Sequence, residues 1–175
     1  ATGYLAFASV DGTGRLFDVV GDPAFDLVDL LGAAVLGVLA GLVARALSAL
    51  LVLAKSTAVS SPLWMRVVGG GAALAALALL ADRLTGEPLT LGPGGDAVAW
   101  ASDTEHAVWL VLAVLAMRCI ATAVTLGAGG VGGIFLPLAV TGVLLGRAVG
   151  GAVEELDTSL FTVVGIAAVL GAGYR

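Results

Sequence analysis

Long apolar segments alternate with short polar connections along this chain. Charged residues are almost absent from the apolar segments, and about 20 apolar residues in a helix cross the roughly 30 Å hydrocarbon core of a bilayer. The pattern predicts an all-α integral membrane protein with no soluble domain. The apolar segments are residues 30–54, 67–81, 107–126, 134–153 and 159–173.

The connections differ in charge. The Lys55–Arg66 connection has two cations and no acid, which favours the cytoplasmic side of a membrane. Asp11–Asp29, Asp82–Glu105 and Glu154–Asp157 are acidic, so we expect these connections on the outer face. Residues 1–10 resemble the end of a further helix.

Two sets of glycines are spaced for helix packing. Gly37 and Gly41 are four residues apart, which places them on one helix face and predicts close approach of a neighbouring helix. Gly142, Gly146 and Gly150 repeat this spacing, and the longer stripe is the stronger packing signal.

Composition supports the membrane class and excludes several functions. Of the 175 residues 59% are hydrophobic and 12% charged, whereas soluble domains carry about 25% charged residues. The net charge of −5 argues against nucleic acid as a partner. No catalytic arrangement or metal-ligand spacing is visible, so we expect neither an enzyme nor a metal site nor a cofactor. The sequence begins and ends partway through the alternation of apolar segments and polar connections, which suggests a piece of a longer protein.

Residues 127–137 form the most distinctive stretch, with five glycines in eleven residues and no charge. Pro137 fits the first turn of a helix, and we expect that helix to be Leu138–Val153. A helix N-terminus has unpaired N–H groups and a partial positive charge, and glycines let an anion approach it. Two interpretations remain open: an anion site made of backbone amides, or glycines that serve helix packing alone.

The predicted depth of this helix favours the anion site. Between two outer connections, the chain must leave the outer face and return to it. A returning helix over residues 138–153 is about 24 Å long, so its N-terminus lies within the membrane. Irregular backbone at that depth is tolerated where it is buried in protein or lines a watery cavity. Broken helices that bind anions are a known device of transporters.

The sequence Gly-Ile-Phe-Leu-Pro at residues 133–137 resembles the G-x-F-x-P signature of the CLC family of chloride channels and chloride/proton exchangers. Residues 129–132 resemble the Gly-rich stretch that precedes it. Residues 118–122, 142–146 and 165–170 resemble the family's flanking segments. Specific motifs are confined to residues 105–175, and residues 1–100 match more loosely.

The resemblance implies a CLC-type inverted-repeat helical bundle with broken and tilted helices, of which this chain holds a part. It implies a homodimer of the complete protein in the plasma (inner) membrane of a prokaryote. The transported ligand would be chloride, coordinated by the amides of Ile134 and Phe135. The implied anion-binding set also includes Gly132, Gly133 and Pro137.

Two departures from the family pattern leave the mechanism open. The G-S-G-I-P and G-[KR]-E-G-P signatures, with their chloride-contacting serine and gating glutamate, are absent from the chain. A passive channel and a proton-coupled antiporter therefore both remain possible. Two other classes also remain: a secondary transporter for a small anionic solute with a similar broken-helix site, and a purely structural membrane module.

Overall fold

A computed structural model describes residues 27–59, 61–103, 105–153 and 156–174, which form helices and connecting loops without a strand. The predicted helix end at residues 1–10 and most of the Asp11–Asp29 connection lie outside these residues. The described residues form six helices: α1 Leu27–Val59, α2 Leu63–Thr85, α3 Gly95–Ser102, α4 Val108–Gly127, α5 Phe135–Gly150 and α6 Thr158–Gly173.

The helices have the lengths and composition of an integral membrane protein. By length and hydropathy, α1, α2 and α4 are able to cross a membrane, and α5 and α6 are shorter apolar helices. Large apolar side chains are exposed on α1 and α2, among them Val38, Leu42, Trp64 and Leu79. Apolar surface of this extent suits lipid rather than water. The predicted all-α membrane class is confirmed.

Helices α1 and α2 extend beyond the apolar segments that predicted them. Helix α1 begins before Asp29, which lies in its first turn, where a carboxylate is favourable. Helix α2 covers Leu63–Thr85 rather than residues 67–81 and has Arg83 in its last turn. Hydropathy marks the part of a helix suited to lipid, whereas backbone hydrogen bonding continues into the flanking polar residues.

The acidic stretch Asp82–Glu105, expected as a loop, contains the short helix α3. Gly86 ends α2 with φ +79°, and Gly94 precedes α3 with φ +111°, so both positions favour glycine. Ala97 and Trp100 of α3 are buried. Sequence periodicity did not reveal α3 because eight residues give barely two turns.

Helix α5 is the most buried helix in the described part of the chain, and it packs directly on α6. A methyl group on Gly142 would lie 2.6 Å from the Gly165 carbonyl oxygen, and one on Gly150 would lie 2.8 Å from Thr158 Cα. These approaches confirm the predicted packing role of the second glycine stripe. No described atom lies within 4 Å of a methyl group at Gly37 or Gly41, so close packing at these two positions stays a prediction.

Candidate functional site

The start of α5 presents N–H groups that have no acceptor within the described part of the chain. The helix begins at Phe135, three residues before the predicted start, and ends at Gly150 instead of Val153. Its first turn closes through a 3.0 Å bond from Leu138 N–H to the Ile134 carbonyl. No described residue accepts a hydrogen bond from the N–H of Ile134 or Phe135. Such groups are available to a ligand or to water.

Pro137 is the third residue of α5 and lies in its first turn, as predicted. Proline is compatible with this position because a first-turn N–H has no helical acceptor. The Pro137 carbonyl oxygen accepts a 2.7 Å bond from the Thr141 hydroxyl. Pro137 therefore reduces the number of donors at this helix end without interrupting the helix.

The glycines before α5 fall into two groups. Gly129 has φ +103°, and a methyl group on Gly130 would lie 2.8 Å from the Thr125 carbonyl oxygen. The turn after α4 therefore requires glycine at both positions. Gly132 and Gly133 have no described atom within 4 Å of a methyl group, and neither has a positive φ. Packing among the described residues gives no reason for glycine at these two positions.

A cavity of about 400 Å³ lies against this helix start. Its lining includes Gly132, Gly133, Ile134 and Pro137, so the structure brings four of the five predicted site residues to one space. Phe135 is absent from the lining, and its side chain is 54% exposed. Its exposure excludes Phe135 as a core residue of the described part of the chain.

Arg118 on α4 also lines this cavity, together with residues 90–93. Its guanidinium donates hydrogen bonds to the carbonyl oxygens of Leu89, Leu91 and Gly92, the last at 3.2 Å. Sequence reasoning did not include Arg118 among the site residues. The available signal was a charged residue inside an apolar span, which is a common mark of a functional position.

Two further arginines hold the ends of helices α4 and α5. Arg66 Nε donates a 3.1 Å bond to the carbonyl of Gly127, at the last residue of α4. Arg147 is 3% exposed and donates to the carbonyls of Asp103 and His106 at 3.4 and 3.3 Å. Cations near helix C-termini are favourable because carbonyl groups there carry partial negative charge. Arg66 thus joins α2 to the end of α4, and Arg147 joins the last turn of α5 to the connection between α3 and α4.

These features describe an all-helical integral membrane protein in which Ile134, at a break between two helices, lines a cavity and has an N–H group without a described acceptor. The family profile described as Voltage gated chloride channel matches residues 1–175, and the chain belongs to this family, the CLC family.

Curated relatives include proteins named H(+)/Cl(-) exchange transporter ClcA from two strains of Klebsiella pneumoniae and from Citrobacter koseri. Each is 32% identical over 95 residues. The match covers 51% of this chain and 20% of each relative, so it spans about a fifth of their length. No solved structure matches the chain significantly.

Proposed function

We propose that the full-length protein transports chloride or a similar anion across a membrane, with the start of α5 as a backbone-amide anion site. One observation carries this proposal: the N–H groups of Ile134 and Phe135 have no acceptor among the described residues, and Ile134 lines a cavity of about 400 Å³. Donors without a nearby acceptor bind anions rather than cations.

Backbone amides suit an ion that must leave as readily as it binds. The N–H groups and the partial positive charge at a helix N-terminus replace part of the hydration shell of an anion. They carry no full charge, which would hold a halide too tightly for rapid conduction. The absence of side chains at Gly132 and Gly133 leaves room for the ion beside these donors.

Helix lengths support a site within the membrane. Helix α4 has 20 residues and α5 has 16, which correspond to about 30 and 24 Å. If α4 spans the bilayer from the outer face, the shorter α5 returns to that face from a start inside the membrane. Family membership and the printed name of the ClcA relatives support chloride as the anion. By the same relationship we propose a homodimer in the inner membrane of a prokaryote.

Removal of one N–H group tests the site directly. Ile134 has φ −87°, close to the proline range, and it follows glycine, which tolerates a following proline better than residues with a Cβ. We expect Ile134→Pro to reduce chloride efflux from liposomes that contain the full-length protein by about tenfold. This is the effect of losing one hydrogen bond to a charged group. Ile134→Val keeps the N–H and is the matched control. Wild-type efflux from Ile134→Pro would contradict the proposal.

The cavity volume favours a second candidate, transport of a small organic anion, because 400 Å³ is larger than one halide requires. Competition between chloride and carboxylates such as acetate in the same liposomes separates these functions. A purely structural role of the glycines predicts no bromide density near the Ile134 and Phe135 amides in a crystal of the intact protein.

A further inference from the structure

We propose that Arg118 and Thr90 form a second polar wall of the cavity beside α5 and set the affinity for the transported anion. This inference rests on the proposed function. Arg118 acts as a specificity-determining residue through its charge, and Thr90 supplies a hydroxyl donor. Both residues line the same cavity as Ile134, so an anion in this cavity lies near the charge of Arg118 as well as near the start of α5.

The charge of Arg118 is held at the cavity without direct neutralisation. Among the described residues, Arg118 is the sole charged side chain in the cavity lining. Its described hydrogen-bond partners are backbone carbonyls, and it forms no ion pair with a described carboxylate. Asp96, in the first turn of α3, interacts with it electrostatically at longer range. Carbonyl dipoles orient a guanidinium but leave its net charge in place, so a positive potential extends into the cavity.

Thr90 provides a second, independent observation. Its side chain is 7% exposed, and no described residue forms a hydrogen bond with its buried hydroxyl oxygen. A buried hydroxyl without a partner is unfavourable, and native proteins rarely leave one in this state. Because Thr90 also lines the cavity, rotation of this side chain about χ1 would bring its hydroxyl to an anion or water there.

Gly94 connects this polar wall to α5. A methyl group on Gly94 would lie 2.9 Å from Nη2 of Arg118 and 2.5 Å from Val140 Cγ2. Val140 is the sixth residue of α5 and lies less than two turns from the start of this helix. Glycine at residue 94 therefore leaves the space in which the guanidinium packs between the turn before α3 and the helix that carries the amides.

The test separates the charge of Arg118 from its hydrogen bonds. We would measure KM and maximal rate for chloride uptake by the full-length protein in liposomes, with ionic strength raised by an impermeant salt. Arg118→Gln should raise KM about threefold at low ionic strength and by less at high ionic strength, because salt screens the lost charge. Arg118→Lys keeps the charge and should retain a KM near that of the wild type.

Thr90→Val tests the second group. It should raise KM about twofold without lowering Tm, because valine removes the unpaired hydroxyl at nearly constant volume. Size-exclusion profiles and Tm identify variants that do not fold. If Arg118→Gln does not fold, the KM of Thr90→Val decides.

A purely structural role for Arg118 predicts that both Arg118 variants lose Tm and maximal rate while KM stays constant. That result, or wild-type KM in Arg118→Gln or Thr90→Val, overturns the inference and leaves the proposed function intact. A wild-type protein without chloride uptake overturns the proposed function and this inference together.

Discussion

The backbone of Gly146 on α5 lies against the carbonyl oxygen of Phe161 on α6, and a methyl group on Gly146 would overlap that oxygen. Phe161 itself is 1% exposed. The two helices therefore meet through backbone atoms, a close approach that glycine allows. The helix that begins at the candidate anion site depends on this contact.

We therefore expect Gly146→Ala to destabilise the full-length protein by about 1–3 kcal/mol, since the methyl group has no space and the helices must separate. Thermal unfolding in detergent measures the loss. Gly37→Ala is the matched control, because no described atom lies within 4 Å of that methyl group. Equal Tm values for the two variants would contradict the packing role of Gly146.

Two neighbouring glycines should respond differently to alanine. Gly130→Ala should lower Tm, because its methyl group would lie 2.8 Å from Thr125. Gly132→Ala should fold normally, because its methyl group meets no described atom. It should still weaken chloride binding severalfold, since the methyl group takes space beside the amides. Isothermal titration with chloride measures the affinity, and normal binding by Gly132→Ala would exclude an ion at this position.

Asp157 caps the start of α6, where its Oδ1 accepts hydrogen bonds from Ser159 N–H at 2.8 Å and Leu160 N–H at 3.3 Å. Asp157→Ala should cost about 0.5–2 kcal/mol of stability, the usual effect of losing an N-cap. Asp157→Asn retains an acceptor and should stay close to the wild type. Thermal unfolding of both variants is the measurement, and equal losses would show that the cap is not the cause.

Arg147 should contribute to stability through the connection between α3 and α4. Arg147→Gln loses buried charge-assisted bonds to the Asp103 and His106 carbonyls, and we expect a cost of about 2–3 kcal/mol. Arg45→Gln, at an exposed position on α1, should leave Tm unchanged. Faster hydrogen exchange in residues 105–110 of Arg147→Gln would locate the effect, and unchanged exchange there would contradict it.

Sequence alone determined the membrane class, the family and the approximate start of α5. Hydropathy reports the membrane class because spanning helices must be apolar. The motif at residues 133–137 indicates the family, and Pro137 marks a first turn whatever surrounds it. Hydropathy could not reveal α3, since its eight residues are too few to establish a period.

Only the tertiary structure decided which small and charged residues contact another helix or turn. Gly37–Gly41 and Gly142–Gly146 have the same spacing, yet only the second pair meets another described helix. In the sequence, Arg118 is a single charge within an apolar span. The structure places the turn before α3 beside it, and carbonyl groups of that turn accept hydrogen bonds from its guanidinium. The physical reason is common to both cases: spacing defines the face of a helix on which a residue lies, whereas the fold determines what that face contacts.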